Sequence, residues 1–176
     1  MDAPTKVAPE QLTELGLTLL DQESQSVHDK IINRLRDEGV GFRYYSHQSV
    51  TTSQEAAQVR GTNLAQSAKA LIVEADGEYL LLVVPGDKQA NLDAFQKAQG
   101  FSKLAMASRD TVEVKIGLQV GSIPPFGSFL KMQTYLDKAL LSEQEIAFNV
   151  GRRDRSVLME LEDFIRLEKP KLVDLS

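Results

Sequence analysis

Lys69 stands inside an apolar run, Ala68-Lys69-Ala70-Leu71-Ile72-Val73. Strand alternation puts Lys69, Leu71 and Val73 on one face and Ala68, Ala70 and Ile72 on the other. An ammonium that shares a face with two branched apolar side chains admits three uses. It snorkels to the end of the sheet as a surface charge. It positions a phosphate or carbonyl oxygen at the mouth of an apolar cavity. Or burial lowers its pKa toward that of a base. His47 lies beside the polar run Ser49-Val50-Thr51-Thr52-Ser53. A histidine there is a general base, a binder of a substrate amine or hydroxyl, or a loop residue without a role.

The second stretch with chemical potential is Gly121-Ser122-Ile123-Pro124-Pro125-Phe126-Gly127, which holds two of the six prolines and two of the eleven glycines. Each proline fixes φ, removes an N–H and holds the preceding residue extended. Flanking glycines let a ligand approach the main chain closely. The stretch is either a structural turn between strands or a rigid loop offering carbonyls and one or two N–H groups to a ligand. Arg152-Arg153-Asp154-Arg155 reads as a solvated turn or as a phosphate clamp, and His28, on a helix with acidic neighbours, as a surface residue. Other chemistries are excluded. There is no Gly-x-Ser-x-Gly elbow, no Walker loop and no cysteine, so a hydrolase triad, a nucleotide cradle and thiolate sites fall away. Two histidines far apart do not make a metal centre, and no cofactor is expected.

These groups need elements to hold them. Val27, Ile31, Ile32 and Leu35 mark a helix over 24–38 that Gly39 stops, preceded by a shorter helix over 9–20. Residues 42–46 read as a strand. Thr52 to Glu55 fit a capping box for a helix that ends at Gly61. Two apolar runs, 68–75 and 78–84, flank Asp76-Gly77, the dipeptide of a type I′ hairpin. The second run is apolar on both faces and so reads as a central strand. A helix over 91–99, a strand over 103–107, and a helix from Ser108 to Ile116 follow. Strands are expected near 131–137, 146–149 and 156–160, then a helix over 161–166 and a tail.

At 176 residues the chain is one domain, able to bury roughly 70% of its unfolded surface without staples. The net charge is −5. Residues 1–42 carry −4 of it, and the rest is nearly balanced. Such a body can hold the end of an RNA but cannot coat a duplex. No basic, apolar leader opens the chain, and no apolar stretch reaches the roughly 18 residues of a membrane span, so a cytoplasmic protein is expected.

Read in order, several of these stretches resemble one family. His47, Thr52 to Ala57, Ala68 to Leu71, Val83 to Asp87, Gly121 to Pro125 and Phe148 to Gly151 resemble the YbaK-like domains. These are free-standing relatives of the editing insertion of bacterial prolyl-tRNA synthetase. The resemblance covers residues 40–168. It implies an α+β fold, a mixed, curled, barrel-like sheet surrounded by helices. Residues 1–40 would be a helical extension packed on an editing domain of residues 41–176.

The activity implied is hydrolysis of the ester that links a wrong amino acid to the 3′ end of a tRNA. By that resemblance Lys69 contacts the terminal nucleotide, and Gly121, Ser122 and Ile123 line the ester through their backbone. Pro124, Pro125 and Phe126 stiffen or wall the pocket, with His47, Thr51, Ser53 and Asn149. A water and a vicinal ribose hydroxyl do the proton chemistry, without metal. The implied partners are mischarged tRNA and prolyl-tRNA synthetase, and the implied substrates are Cys, Ser, Thr or Ala, most plausibly on the proline tRNA. Several editing domains carry a His-Pro pair where this chain has Phe148-Asn149-Val150-Gly151. That region looks more like the YbaK branch and its serine/threonine-directed cousins, which weighs against alanine as the preferred substrate. A non-catalytic module that binds a synthetase, a tRNA end or a free amino acid is the rival reading.

Overall fold

A computed structural model describes residues 19–176 of the chain. The helix expected over 9–20 falls almost wholly outside them. Helix α1 spans Leu19–Asp37, beginning earlier than the spacing predicts. Its stripe of Val27, Ile31, Ile32 and Leu35 is at most 5% exposed, and Gly39 closes it with a φ of +66°. His28 also faces inward, 9% exposed, with Nε2 2.7 Å from the Tyr44 hydroxyl and Nδ1 2.8 Å from Asp29. The surface position expected for it is therefore corrected. Its helical spacing from Ile31, Ile32 and Leu35 puts it on the buried stripe.

Strand β1 (Phe42–Ser46) leads to α2 (Ser53–Arg60). The Thr52 side chain accepts the N–H of Glu55, as a cap should, but the Glu55 carboxylate takes the N–H of Thr51, one residue before the cap. Strands β2 (Ala68–Ala75) and β3 (Glu78–Pro85) form the expected hairpin. Asp76 and Gly77 both have positive φ, 49° and 88°, which a type I′ turn requires. Helix α3 (Leu92–Gln99) is capped by the Asn91 side chain and ends at left-handed Gly100. Strand β4 (Leu104–Met106) follows, then one α-turn, α4 (Arg109–Thr111), which widens into a π-turn over 112–116 where a regular helix was expected.

Strand β5 (Gln133–Asp137), strand β6 (Glu145–Asn149), strand β7 (Arg155–Glu160), helix α5 (Leu161–Glu168) and strand β8 (Lys171–Val173) complete the chain. The last of these was expected to be tail. Three residues after a proline carry no alternation, and β8 exists because β5 offers it a parallel edge.

The strands form two sheets, β4-β2-β3-β5-β8 (mixed) and β1-β7-β6 (antiparallel). The α+β fold is as expected. The sheets do not close into a barrel; among the described residues they meet through a bridge between Ser67 and Ala147. Central β3 serves two cores, as its doubly apolar pattern requires. Leu81 and Val83 face the larger core with α1, Phe126, Phe148 and Phe164, while Leu80, Leu82 and Val84 pack on Phe95 and Tyr135. Each such buried branched side chain contributes about 1.5–3 kcal/mol relative to exposure. Among the described residues no helix is long and apolar enough to cross a membrane.

Candidate functional site

Where the two sheets meet, the structure leaves a cavity of about 400 Å³. Its walls come from the start of α2, the start of β2, the end of β6 and the glycine–proline loop. Six of the residues picked out in the sequence line it: Thr51, Ser53, Lys69, Gly121, Ile123 and Asn149. Lys69 extends along the rim, where its Nζ donates to the carbonyl of Lys88 at 2.8 Å. Burial lowers its pKa from the usual 10.5, and the nearby Asp87 carboxylate opposes that shift.

The other five do not line the cavity. Phe126 is 2% exposed and packs edge-to-face on Phe129, Phe148 and Phe164, so it anchors the loop in the larger core. Pro124 and Pro125 are buried beside it. Ser122 is spent on the loop itself. Its N–H and its hydroxyl both donate to the carbonyl of Gln119, and its own carbonyl accepts from the N–H of Gly151. His47 stands behind the cavity wall, with Nδ1 2.7 Å from the Gln48 carbonyl and Nε2 2.7 Å from Ser156 Oγ.

The loop is held at both ends. Gly121 has a φ of +92°, and a Cβ there would meet the Thr51 carbonyl at 3.2 Å. Gly127 leaves even less room, because a Cβ would fall 2.5 Å from Thr134 Oγ1. Asn149 Nδ2 donates to the Gly121 carbonyl at 2.6 Å. Arg153 also donates, through Nε and Nη2, to the carbonyl of Val120. Arg152 and Arg155 are engaged with Asp154, whose pKa is lowered chiefly by the hydrogen bond from Arg152. The arginine run thus braces the loop and its own turn.

Three contributors escaped the sequence reading. Arg60 lines the cavity while only 7% exposed. Its Nε donates to Ser156 Oγ at 2.9 Å and its Nη2 to Asn149 Oδ1 at 3.1 Å, while Nη1 is buried with no hydrogen-bond partner. Burial lowers its pKa to about 10, so it stays charged at neutral pH. A signal for it was present: Arg60 lies four and three residues after Ala56 and Ala57, on the same helix face. Ser67, 3% exposed, also lines the cavity with an unpartnered Oγ.

Ser156 is the third contributor, fully buried on β7. Its single hydroxyl proton faces two candidate acceptors, His47 Nε2 at 2.7 Å and Asn149 Oδ1 at 2.9 Å. Nδ1 of His47 must donate to the Gln48 carbonyl, so in the neutral ring Nε2 accepts the serine proton. Among the described residues no group of three His, Cys, Asp or Glu side chains is placed to hold a metal ion.

The cavity has a mixed polar and apolar lining that includes Lys69, Gly121 and Ile123 of the loop, and the buried Arg60. Comparison with known proteins places the chain in a family. Residues 47–167 match the family model described as an aminoacyl-tRNA editing domain. The Multifunctional Ser/Thr-tRNA deacylase ProXp-y of Escherichia coli (strain K12) is 34% identical over 84% of this chain and 91% of its own. The Prolyl-tRNA editing protein ProX of Acetoanaerobium sticklandii is 24% identical over 79% of this chain and 88% of its own. The crystal structure of a candidate trans-editing enzyme for prolyl-tRNA synthetase superposes with a TM-score of 0.74 at 24% identity, covering 85% of this chain and 96% of that one. The chain belongs to the aminoacyl-tRNA editing domain family.

Proposed function

We propose that the chain is a trans-acting aminoacyl-tRNA hydrolase. It removes a small, wrongly attached amino acid from a tRNA 3′ end in the cytoplasm. Residues 41–176 form the editing unit and residues 1–40 an extension upon it. The observation that carries this reading is the convergence of Lys69, Gly121, Ile123 and Asn149 on one cavity of about 400 Å³. That volume lies at the lower end of small-ligand sites, roughly 300–1,000 Å³. It suits an aminoacyl group and part of the terminal nucleoside.

In this reading Lys69 holds the terminal nucleotide at the rim, and the loop backbone at Gly121 and Ile123 flanks the ester. Thr51 and Ser53 wall the pocket. Pro124, Pro125, Phe126 and Ser122 act from behind, by fixing the loop, and His47 by orienting Ser156. An aminoacyl ester is already activated, so positioning a water and stabilising the developing charge suffice. Serine and threonine are the leading substrates, by analogy with the E. coli relative, with cysteine and alanine as competitors. The proline tRNA is the leading carrier. One methylene in a pocket is worth only about 1–3 kcal/mol, so overlap within this set is expected.

The test is deacylation at sub-stoichiometric protein, with proline and alanine tRNAs charged with Ala, Cys, Ser, Thr or Pro. Multiple turnovers on a mischarged species, with prolyl-tRNA on its own tRNA spared, support the reading. Folded protein that turns over none of them makes the chain a binding module.

A further inference from the structure

Arg60 is a buried cation whose hydrogen-bond partners are neutral, the Ser156 hydroxyl and the Asn149 amide oxygen. Among the described residues no carboxylate pairs with it. Leaving a charge uncompensated at a cavity wall costs stability unless the site's work returns it. Arg60 and Ser67 both line the cavity, their buried Nη1 and Oγ have no hydrogen-bond partner, and both atoms can donate. The loop cannot supply everything, because the Ser122 N–H is already given to Gln119.

Three groups of an aminoacyl-tRNA could meet such donors. An α-ammonium is repelled by the guanidinium. A phosphate would satisfy it equally in the ground state and after reaction. The carbonyl oxygen of the ester is neutral at first and gains a full charge as water adds, so it alone has an affinity that rises along the reaction.

We infer that Arg60 Nη1 and Ser67 Oγ form the oxyanion site of the hydrolysis. This rests on the deacylase reading above and assigns two further catalytic residues to it. The water oxygen bonds to the carbonyl carbon, and the carbonyl π pair moves onto oxygen, where Arg60 and Ser67 receive it. The water's proton passes through the neighbouring ribose hydroxyl, which accepts it while handing its own proton to the ribose oxygen of the ester. When the intermediate collapses, the carbon–oxygen bond to the ribose breaks, the ribose oxygen leaves as a hydroxyl, and the amino acid departs with its carboxyl group. Ser156 and Asn149 are positioning residues, because they fix the guanidinium plane through Nε and Nη2.

Single-turnover rates on seryl-tRNA decide this, together with dissociation constants for its non-hydrolysable 3′-amide analogue. Arg60→Met is expected to slow the bond-breaking step by about 10²–10³-fold, a typical loss for one oxyanion donor. Its affinity for the amide analogue should stay within about threefold of wild type. Arg60→Lys should recover part of the rate. Ser67→Ala should lose about tenfold with an unchanged melting temperature, since its Oγ makes no hydrogen bond in the fold. That variant decides the matter if Arg60→Met does not fold.

A rate loss matched by an equal loss of analogue affinity makes Arg60 a ground-state phosphate holder and overturns the inference. So does a wild-type rate in Ser67→Ala. In both cases the deacylase reading survives, because the wild-type protein still turns over. Wild-type protein inert on every ester removes both.

Discussion

The side-chain amide of Asn149 donates to the carbonyl oxygen of Gly121 at 2.6 Å, tying the end of β6 to the first residue of the glycine–proline loop. The other end of the same amide accepts from Arg60. One side chain therefore couples the loop to the buried guanidinium. Asn149→Asp keeps the acceptor for Arg60 but turns the donor into a second acceptor facing a carbonyl. Activity should fall by about tenfold or more, equal to about 1.4 kcal/mol, with a smaller loss of melting temperature. Steady-state deacylation beside a thermal melt checks this, and an unchanged kcat/KM would show the bond to be idle.

Lys69 tests the rim. Lys69→Ala should remove most turnover, on the order of 10²-fold, and leave the fold intact because the side chain is only half-buried. Asp87 raises the lysine pKa against the lowering by burial. Asp87→Asn should therefore lower it further and move the alkaline limb of the activity profile to lower pH. A limb that does not move would mean that Lys69 is not the group titrating there.

Two glycines of the loop should fail in different ways. Alanine at Gly127 places Cβ 2.5 Å from Thr134 Oγ1 and 2.7 Å from the Met132 carbonyl, so it should cost about 1–3 kcal/mol and several degrees of melting temperature. Alanine at Gly121 meets a φ of +92° beside the cavity, a strain of about 1–2 kcal/mol. Its main effect should be on catalysis, because the loop must shift against Thr51. Equal losses of activity and stability in both variants would contradict this division.

Glu168 gives a pH dependence of stability. Burial raises its pKa above the usual 4.5, against hydrogen bonds from the Ser128 N–H, the Ser128 hydroxyl and the Thr134 hydroxyl. Above pH 4.5 the folded state holds the proton more tightly than the unfolded chain does. This contribution is complete below pH 4.5 and is lost as pH rises through the folded value. Glu168→Gln keeps an acceptor for Ser128 and Thr134 and carries no charge. The stability difference, variant minus wild type, should grow as pH rises from 4.5 toward neutral. A flat difference would refute the shift.

What could be read from the residues was local. Asp76-Gly77 set the hairpin, because only those two residues need positive φ. Thr52 set the start of α2, and the doubly apolar run from Leu80 to Val84 declared a central strand. Lys69 and the glycine–proline loop were legible because their oddity lies within a few neighbours: a charge in an apolar run, rigidity beside glycine. Each signal acts through φ, ψ or a periodicity of two or 3.6 residues, which a short window contains.

What only the tertiary structure decided was which groups meet. Arg60 finds Ser156 across 96 positions, and Asn149 finds Gly121 across 28. The cavity itself lies at a junction made by the bridge from Ser67 to Ala147. Strand β8 and the burial of His28 belong to the same class. Such pairings depend on how two sheets pack, a global minimum over many buried side chains that no short stretch encodes. The candidate groups were therefore legible as residue types, but which of them meet, above all around a buried guanidinium with no carboxylate partner among the described residues, was settled by packing.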